Sequence, residues 1–405
     1  MAITTITQNS NLMKRINLYS GILVAMAFLF FGCNDSENDL LESKLYFESD
    51  VINVETEEDT YECEVVSRLS SMVGNDVSVS YSVGGQDLVD QYNQKHGTAC
   101  LLMPEGNYEM EGHSSVIKAG ELYAGACAVS LKNIQAGEDG VTYVLPLLLN
   151  SSDITLMNGE NVTYIVVKKP IIIDKVYDIT PNWLDVRLPK SCASMSSVTY
   201  EALLYAERWN NLGTIMGNEG ILILRTGDLN HPDNEIQVAG NVQLQIPEDV
   251  VNSYALNKWY HVAFTYDSPS GMAAIYLNGE KVAEKGVGSG LTFDLNQHFS
   301  IGYAYDYDSR RTWYGFMSEV RLWSVARTAN QLRDNMMYVD PASDGLVGYW
   351  KLNGEDYYEE NGVWYVKDQS PNGNNATSNR GLRGDNGGSQ TFVEPTVVDM
   401  RVKIE

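Results

Sequence analysis

Four short stretches decide the fold of this chain: KWYHVAF at 258–264, IYLNGEK at 275–281, IG at 301–302 and GFMSEVRLW at 315–323. In the first stretch, alternation predicts a strand with Tyr260, Val262 and Phe264 on one side. In the second, Asn278-Gly279 supplies the positive φ angles of a tight hairpin turn. The region is therefore predicted to form a series of antiparallel strands.

Further signals surround these stretches. Thr328 and Gln331 form a capping-box pair for a short helix that carries Leu332 and Met336 on one side. Strand and loop patterns continue the series upstream and downstream, at 198–205, 213–225, 346–352 and 368–376. In this order the motifs resemble the laminin-G-like branch of the concanavalin A-like lectin fold. The resemblance covers 177–405 and implies a jelly-roll β-sandwich, a common platform for sugar recognition.

Residues 44–169 form a separate predicted domain. Val77, Val79 and Tyr81 alternate with serines, as in a strand with one buried face. Residues 87–96 predict a short helix that ends at Gly97. With further strands around 116–117, 126–131, 143–149 and 163–167, this pattern favours an immunoglobulin-like β-sandwich.

The first domain also carries a family resemblance. Its motifs are DQYNQKHG at 90–97, LMPE at 102–105, IKAGE at 117–121 and YVLP at 143–146. They resemble the N-terminal domain of unknown function in Bacteroidetes surface lipoproteins, which often precedes glycan-binding or glycosidase domains. The fold class expected is all-β: an immunoglobulin-like sandwich, a short linker at 170–176, and the concanavalin A-like sandwich. A spacer role is expected for the first domain.

Composition limits the possible partners. The chain has 405 residues, 44% of them hydrophobic, which suits two folded domains. Its formal net charge is -25. Such an excess of carboxylates repels phosphate backbones, so no nucleic-acid partner is expected, whereas neutral glycans remain compatible.

The N-terminus has the pattern of a targeting segment. Lys14 and Arg15 precede an apolar run at 18–31, and Gly32 lies directly before Cys33. The pattern resembles a bacterial lipoprotein signal, which implies a signal peptide at 1–33 and a lipidated Cys33. The acidic tether at 34–43 resembles the export signal of Bacteroidetes surface lipoproteins. These resemblances imply a lipid anchor in the outer membrane and exposure at the cell surface; the alternative is a plain secreted protein.

The remaining cysteines are Cys63, Cys100, Cys127 and Cys192. In an oxidising compartment they could form two bridges in three pairings, but their spacing matches no disulfide or metal framework. We expect mostly buried thiols, or one bridge.

The sequence contains no recognisable catalytic pattern. Concanavalin A-like glycosidases usually carry Glu-x-Asp-x-Glu along one strand, and two such carboxyl groups are needed for hydrolysis. The nearest group is Glu355, Asp356, Glu359 and Glu360, but Tyr357 occupies the central position, and Gly354 and Asn361 suggest a loop. Neither Gly-x-Ser-x-Gly nor His-Glu-x-x-His occurs. The five histidines are expected to be structural or exposed, His261 inside a strand.

The stretch 303–314 is the predicted binding segment. Aromatic rings stack on the C–H faces of sugars, while carboxylate and guanidinium groups bind the hydroxyls. This stretch offers both kinds of group: Tyr303, Tyr305, Asp306, Tyr307, Arg310, Arg311 and Trp313. Tyrosines at alternate positions would face one side of a strand. An equally reasonable alternative is that these rings pack against the convex side of the sandwich or a neighbouring loop. Trp209 begins a second candidate patch, or covers a sheet edge.

No cofactor is required by this site, although laminin-G-like relatives sometimes carry calcium at the rim, where Asp294, Asp306 or Asp308 could supply oxygen ligands.

The sequence as a whole predicts a noncatalytic surface lipoprotein that captures glycans for a polysaccharide-utilisation system, with an outer-membrane transporter complex as a further partner. The alternatives are a glycosidase with an unrecognised acid pair and a protein-binding adhesion module.

Overall fold

The chain folds into two compact units. The computed structural model describes residues 42–180, 182–304, 311–383 and 388–404. One unit contains the residues up to Ala136 together with Thr142–Val167, and the other contains Gly137–Val141 and the residues from Lys168 onward. Both consist mainly of β-strands, which confirms the predicted fold class. Within the described ranges, no helix has the length and apolar character needed to span a membrane.

The strands of the first unit alternate between buried and exposed residues, as predicted for Val77–Val83. They are β1 Leu45–Phe47, β2 Val51–Glu55, β3 Tyr61–Val65, β4 Ser67–Leu69, β5 Val77–Val83, β6 Leu101–Leu102, β7 Tyr108–Glu111, β8 Ser114–Ile117, β9 Cys127–Leu131, β10 Thr142–Asn150 and β11 Val162–Lys168. The six-stranded sheet has the order β2-β11-β10-β5-β8, with β6 beside β10. The smaller sheets are β3-β9-β7 and β1-β4.

A single helix, α1 at Gln86–His96, follows β5. Gly97 ends it with a φ of 66°, a left-handed conformation that glycine adopts without steric cost. Helix α1 packs through Val89 and Tyr92, which are both buried. The helix predicted at 87–96 is thus confirmed. Among its described residues, a 3-10 turn at Glu105–Asn107 is the other helical element of this unit.

The four described cysteines are buried free thiols, as expected. Burial raises the pKa of Cys63, Cys127 and Cys192, so these thiols stay protonated and unreactive at neutral pH.

The second unit contains two large antiparallel sheets. Its strands are β12 Lys175–Asp178, β13 Asn182–Val186, β14 Val198–Ala206, β15 Gly213–Asn218, β16 Leu222–Asp228, β17 His231–Gly240, β18 Leu244–Gln245, β19 Trp259–Asp267, β20 Met272–Leu277, β21 Glu280–Gly286, β22 Phe299–Ile301, β23 Gly315–Trp323, β24 Leu346–Trp350, β25 Tyr357–Glu360, β26 Val363–Val366, β27 Ala376–Arg380, β28 Thr391–Phe392 and β29 Thr396–Asp399. Its helices are a 3-10 turn at Lys190–Ser194, α2 at Glu248–Ser253 and α3 at Ala329–Asp334.

The eight-stranded sheet has the order β21-β20-β19-β14-β23-β12-β29, with β24 beside β23. The ten-stranded sheet has the order β18-β17-β16-β15-β22-β13-β27-β26-β25, with β28 beside β27. Both sheets contribute alternate residues to one core, among them Phe264 of β19 and Phe299 of β22. Each sheet therefore has an inner face in the core and an outer face turned away from it.

The structure confirms the turn and the capping box that the sequence predicts at 278–279 and at Thr328. Asn278 and Gly279 have φ angles of 50° and 77°, and Leu277 pairs with Glu280 across the turn. Thr328 forms the predicted capping box at the start of α3. One expectation was wrong: Tyr357–Glu360 is a strand rather than a loop, because Asn361 turns it into a hairpin with β26.

Candidate functional site

A row of polar and aromatic residues crosses the outer face of the ten-stranded sheet. The register pairs Tyr358 with Tyr365, Tyr365 with Thr377, Thr377 with Asp185, and Asp185 with Ser300. Their neighbours along the strands point into the core, so these side chains share the opposite face. We call these five residues the cross-strand row.

Two stacked tyrosines form the open end of the row. The ring centroids of Tyr358 and Tyr365 lie 5.3 Å apart with an interplanar angle of 18°. Tyr358 is 39% exposed, and its hydroxyl accepts a hydrogen bond of 3.0 Å from the side-chain amide of Asn375. Asn361 and Gly362 turn the hairpin with φ angles of 52° and 80°, which brings the two rings side by side. The pair presents ring faces held in place by a short turn.

A buried ion pair anchors the other end. Arg383 Nη1 donates to Asp185 Oδ1 at 2.6 Å and lies 3.2 Å from His298 Nδ1, and Nη2 donates to the Ser300 hydroxyl. The guanidinium also lies 4.7 Å from the centre of the Trp183 ring. Arg383 donates to Oδ1 of Asp185, and the Oδ2 atom of Asp185 lies 4.0 Å from Nε of the exposed Arg187. That oxygen can accept a hydrogen bond from a ligand hydroxyl.

The predicted segment 303–314 lies partly beside this face. Tyr303 packs against Trp183 with 5.6 Å between ring centroids, and it is 1% exposed. Trp313 is 2% exposed and belongs to the core between the sheets. Burial removes both ring faces from solvent, so these two residues act as packing residues. This corrects their expected role in stacking.

Arg311 and Trp209 have partners inside the protein. Arg311 Nη1 forms an ion pair of 2.7 Å with Glu219, across the turn between β15 and β16. The half-buried Trp209 lies against Tyr254, at 4.6 Å, and Trp313, at 6.2 Å. For Trp209, these contacts agree with the alternative that it covers the end of the sheet.

Asp294 of the calcium prediction is described and accepts a hydrogen bond of 3.2 Å from the backbone N–H of Asn296, whereas the other predicted residues lie outside the described ranges. They are Tyr305, Asp306, Tyr307 and Arg310 of the binding segment, Asp308 of the calcium prediction, and the lipidation site Cys33. In the described part of the chain, no three acidic, histidine or cysteine side chains converge as a metal site would require.

The acidic residue nearest to the glycosidase pattern is structural. Asp356 is buried, accepts a hydrogen bond of 2.8 Å from the Tyr177 hydroxyl, and accepts another of 2.9 Å from the backbone N–H of Leu352. Burial raises the pKa of Asp356 despite these bonds. The carboxyl group thus closes a loop inside the second unit.

A second group of charged residues lies on the outer face of the eight-stranded sheet. Glu201 accepts hydrogen bonds from Arg321 Nη1 at 3.1 Å and Arg327 Nη1 at 2.9 Å, and lies 3.2 Å from His261 Nε2. Arg321 also donates to Glu319. We call these five residues the arginine cluster, and all of them are buried.

The arginine cluster has a defined charge state. Burial raises the pKa of Glu201, but the hydrogen bond with His261 and the charges of Arg321 and Arg327 outweigh it and lower that pKa to about 2. Burial lowers the pKa of His261. Both arginines also donate to backbone carbonyls, Arg327 to Gln331 within α3 and Arg321 to Asn335 just beyond it. A buried cluster of this kind, in which Glu201 has three partners, fixes the helical segment to the sheet and is shielded from a substrate.

Family comparisons agree with this architecture. A family model described as the concanavalin A-like lectin/glucanases superfamily matches residues 185–333. A second family model, described as an N-terminal domain, matches residues 41–155. No curated protein matches the chain.

A crystal structure from Bacteroides ovatus, described as that of "a putative carbohydrate binding protein", is 39% identical to this chain. The match covers 87% of this chain and 99% of that one, with a TM-score of 0.66. The chain belongs to the same family as the Bacteroides ovatus protein. The expected resemblance to Bacteroidetes proteins with a concanavalin A-like domain is thereby confirmed.

Two other solved structures resemble smaller parts of this family member. EndoBT-3987 from Bacteroides thetaiotaomicron, with Man5GlcNAc product, is 18% identical, covers 31% of this chain and 30% of its own, and has a TM-score of 0.27. A SAP-like pentraxin from Limulus polyphemus is 19% identical, covers 39% and 79%, and has a TM-score of 0.31. With scores this low, neither resemblance informs function.

The sequence reasoning missed the cross-strand row and Arg383. One signal was available: VWYV at 363–366 follows Asn361-Gly362, the same hairpin turn as in 278–279. It predicts a hairpin with Tyr358 opposite Tyr365. Nothing local could have indicated Arg383, because it lies 198 residues from Asp185 in the sequence.

Proposed function

We propose that this protein is a noncatalytic glycan-binding lipoprotein of the cell surface that captures oligosaccharides for a polysaccharide-utilisation system. The stacked pair of Tyr358 and Tyr365, beside polar groups on the same face, is the observation that carries the proposal. Kinship with the Bacteroides ovatus protein supports the same class of ligand.

The cross-strand row suits a sugar chain lying along a shallow surface. A sugar ring would stack its C–H groups on Tyr358 and Tyr365. Its hydroxyl groups would reach the Thr377 hydroxyl, the Asn375 amide and the Oδ2 atom of Asp185. Because the turn and the ion pair already fix these groups, little side-chain entropy is lost on binding.

Anchoring is part of the proposal. A lipid on Cys33 would hold the protein in the outer membrane, with the acidic tether and the first unit as spacers. The captured glycan would then pass to an outer-membrane transporter complex. The lipobox-like Gly32-Cys33 and the acidic run that follows support this arrangement.

The described carboxyl groups favour binding over hydrolysis. A glycosidase needs two carboxyl groups that both face the substrate. Glu201 and Glu319 share Arg321 but are buried beneath α3 and the residues after it, and Asp356 closes a loop. Asp185 is the acid on the cross-strand row, and Arg383 neutralises it.

The test is an oligosaccharide array probed with the full chain, followed by calorimetric titration of the best ligand. We expect Tyr358→Ala and Tyr365→Ala each to weaken binding about tenfold, since about 1.4 kcal/mol corresponds to that factor. Tyr61→Ala removes a similarly exposed tyrosine from the first unit and should leave the affinity unchanged.

If Tyr358→Ala and Tyr365→Ala bind the glycan with unchanged affinity and unfold at the same temperature as the wild type, the ligand binds elsewhere. Release of new reducing ends from the bound glycan would overturn the noncatalytic assignment.

A further inference from the structure

A pocket of about 370 Å³ opens on the eight-stranded sheet, where β14 ends and β19 begins. Tyr205, Trp259 and Tyr260 line it, together with Asn257 and two lysines. Its volume lies within the range of small-ligand sites. The pocket belongs to the sheet that lacks the cross-strand row, so it is a separate place on the second unit.

The aromatic walls are held rigidly. The ring of Tyr205 lies 5.5 Å from that of Trp259 and 5.5 Å from that of Phe316. The Tyr260 hydroxyl accepts a hydrogen bond of 3.1 Å from the backbone of Ala255, which leaves its own proton available to an acceptor. The pocket therefore presents fixed ring faces, as a stacked ligand requires.

Two features indicate a polar ligand with acceptor groups. Trp259 is 5% exposed, and its indole N–H has no acceptor among the described residues. A buried donor of this kind costs free energy unless a bound molecule accepts from it. Asn257, which is exposed at the rim, adds a side-chain amide that can donate or accept.

The charge of the pocket is opposite to that of the protein. The chain has 53 acidic and 28 basic residues, yet the described lining residues include Lys258 and Lys403 and no acid. Lys403 is exposed and forms no ion pair with any described residue. An anion in this pocket would therefore meet the Lys403 ammonium, whose charge no described acid neutralises.

We propose that this pocket binds an acidic sugar, such as a hexuronic acid residue of a glycan. Its ring would stack on the half-buried Tyr205, its carboxylate would pair with Lys403, and a ring oxygen or hydroxyl would accept from the indole N–H of Trp259. The inference rests on the proposed function only in taking carbohydrate as the ligand class.

The experiment is a calorimetric titration of the full chain with glucuronic acid and, separately, with glucose, which lacks the carboxylate. Glucuronic acid should bind at least about fivefold more tightly, and Lys403→Ala should abolish that preference, since one partly exposed ion pair is worth about 1 kcal/mol. Raising the salt from about 0.05 to about 0.5 M should weaken binding of the acid alone. Lys190→Ala, which removes an exposed lysine outside the pocket, is the matched control.

The two proposals fail separately. If Tyr358→Ala and Tyr365→Ala bind glucuronic acid like the wild type while Tyr205→Ala does not, the pocket is an independent site, whatever the array shows. Equal affinity for the acid and the neutral sugar, or full binding by Lys403→Ala, would overturn the inference. Loss of glucuronic acid binding in the Tyr365→Ala variant would also overturn it.

Discussion

The two outer faces of the second unit carry charged residues in different settings. On the eight-stranded sheet, the arginine cluster is buried beneath α3 and the residues that follow it, and Glu201 has three partners. On the ten-stranded sheet, one ion pair between Asp185 and Arg383 is buried, and the exposed Tyr358 and half-buried Tyr365 lie on the same face. The charged residues therefore attach a covering segment on the first face, whereas those on the second face lie beside rings that remain partly exposed.

The difference follows from desolvation. A buried charge is tolerated only when its partners replace the lost water, and the arginine cluster meets this condition with ion pairs and backbone carbonyls. At the cross-strand row, Oδ2 of Asp185 and the rings of Tyr358 and Tyr365 are not fully used within the protein. In the proposed function, a ligand would form a hydrogen bond with this oxygen and contact these rings.

The largest effect is expected from Glu201→Gln. It leaves Arg327 buried without a carboxylate and Arg321 with Glu319 alone, so the free energy of unfolding should fall by about 3–5 kcal/mol. Urea denaturation followed by tryptophan fluorescence measures this change, because all seven tryptophans lie in the second unit.

Glu280→Gln is the matched control, since it breaks an exposed pair of 2.8 Å with Arg333. Its effect should stay below about 1 kcal/mol. Equal losses of unfolding free energy in Glu201→Gln and Glu280→Gln would show that the buried ion pairs of the arginine cluster contribute no more to stability than an exposed pair.

A smaller effect is expected from Arg383→Met, which keeps an unbranched side chain but removes the guanidinium that lies over Trp183. Asp185 then loses its charged partner, and the free energy of unfolding should fall by about 1–3 kcal/mol. Glycan affinity should fall as well, because Asp185 is no longer oriented. Arg380→Met, at an exposed arginine of the same sheet, should change the affinity little. If Arg383→Met bound the glycan with wild-type affinity, the ion pair between Asp185 and Arg383 would not be part of the binding site.

The smallest effect concerns pH. Burial lowers the pKa of His261, so the folded protein keeps it neutral where the unfolded chain, with a pKa near 6.5, becomes protonated. Unfolding then takes up a proton, and stability should fall as the pH falls from about 7 to about 5. Burial raises the pKa of Glu319, which acts in the opposite direction, so the difference between wild type and His261→Gln is the informative quantity.

The variant should show a flatter dependence of unfolding free energy on pH, by up to about 1.4 kcal/mol per pH unit. Parallel curves for the two proteins would mean that His261 does not titrate on unfolding in this range.

Much of the fold could be predicted because its signals are local. The hairpin at Asn278-Gly279, the capping box at Thr328 and the helix end at Gly97 each depend on neighbouring residues. The site could not be located in the same way. Tyr303 lies in a stretch of alternating tyrosines, but it is covered within the fold beside Trp183, whose indole N–H bonds to Gly381, 198 residues away.

The sequence by itself determined which side chains share a face, because alternation along a strand is a property of the backbone. Only the tertiary structure decided which of those faces stays open. The arginine partners of Glu201 and the Arg383 side chain over Trp183 both come from residues distant in sequence. Exposure is a property of the packed chain, since desolvation depends on every segment that comes to lie over a side chain.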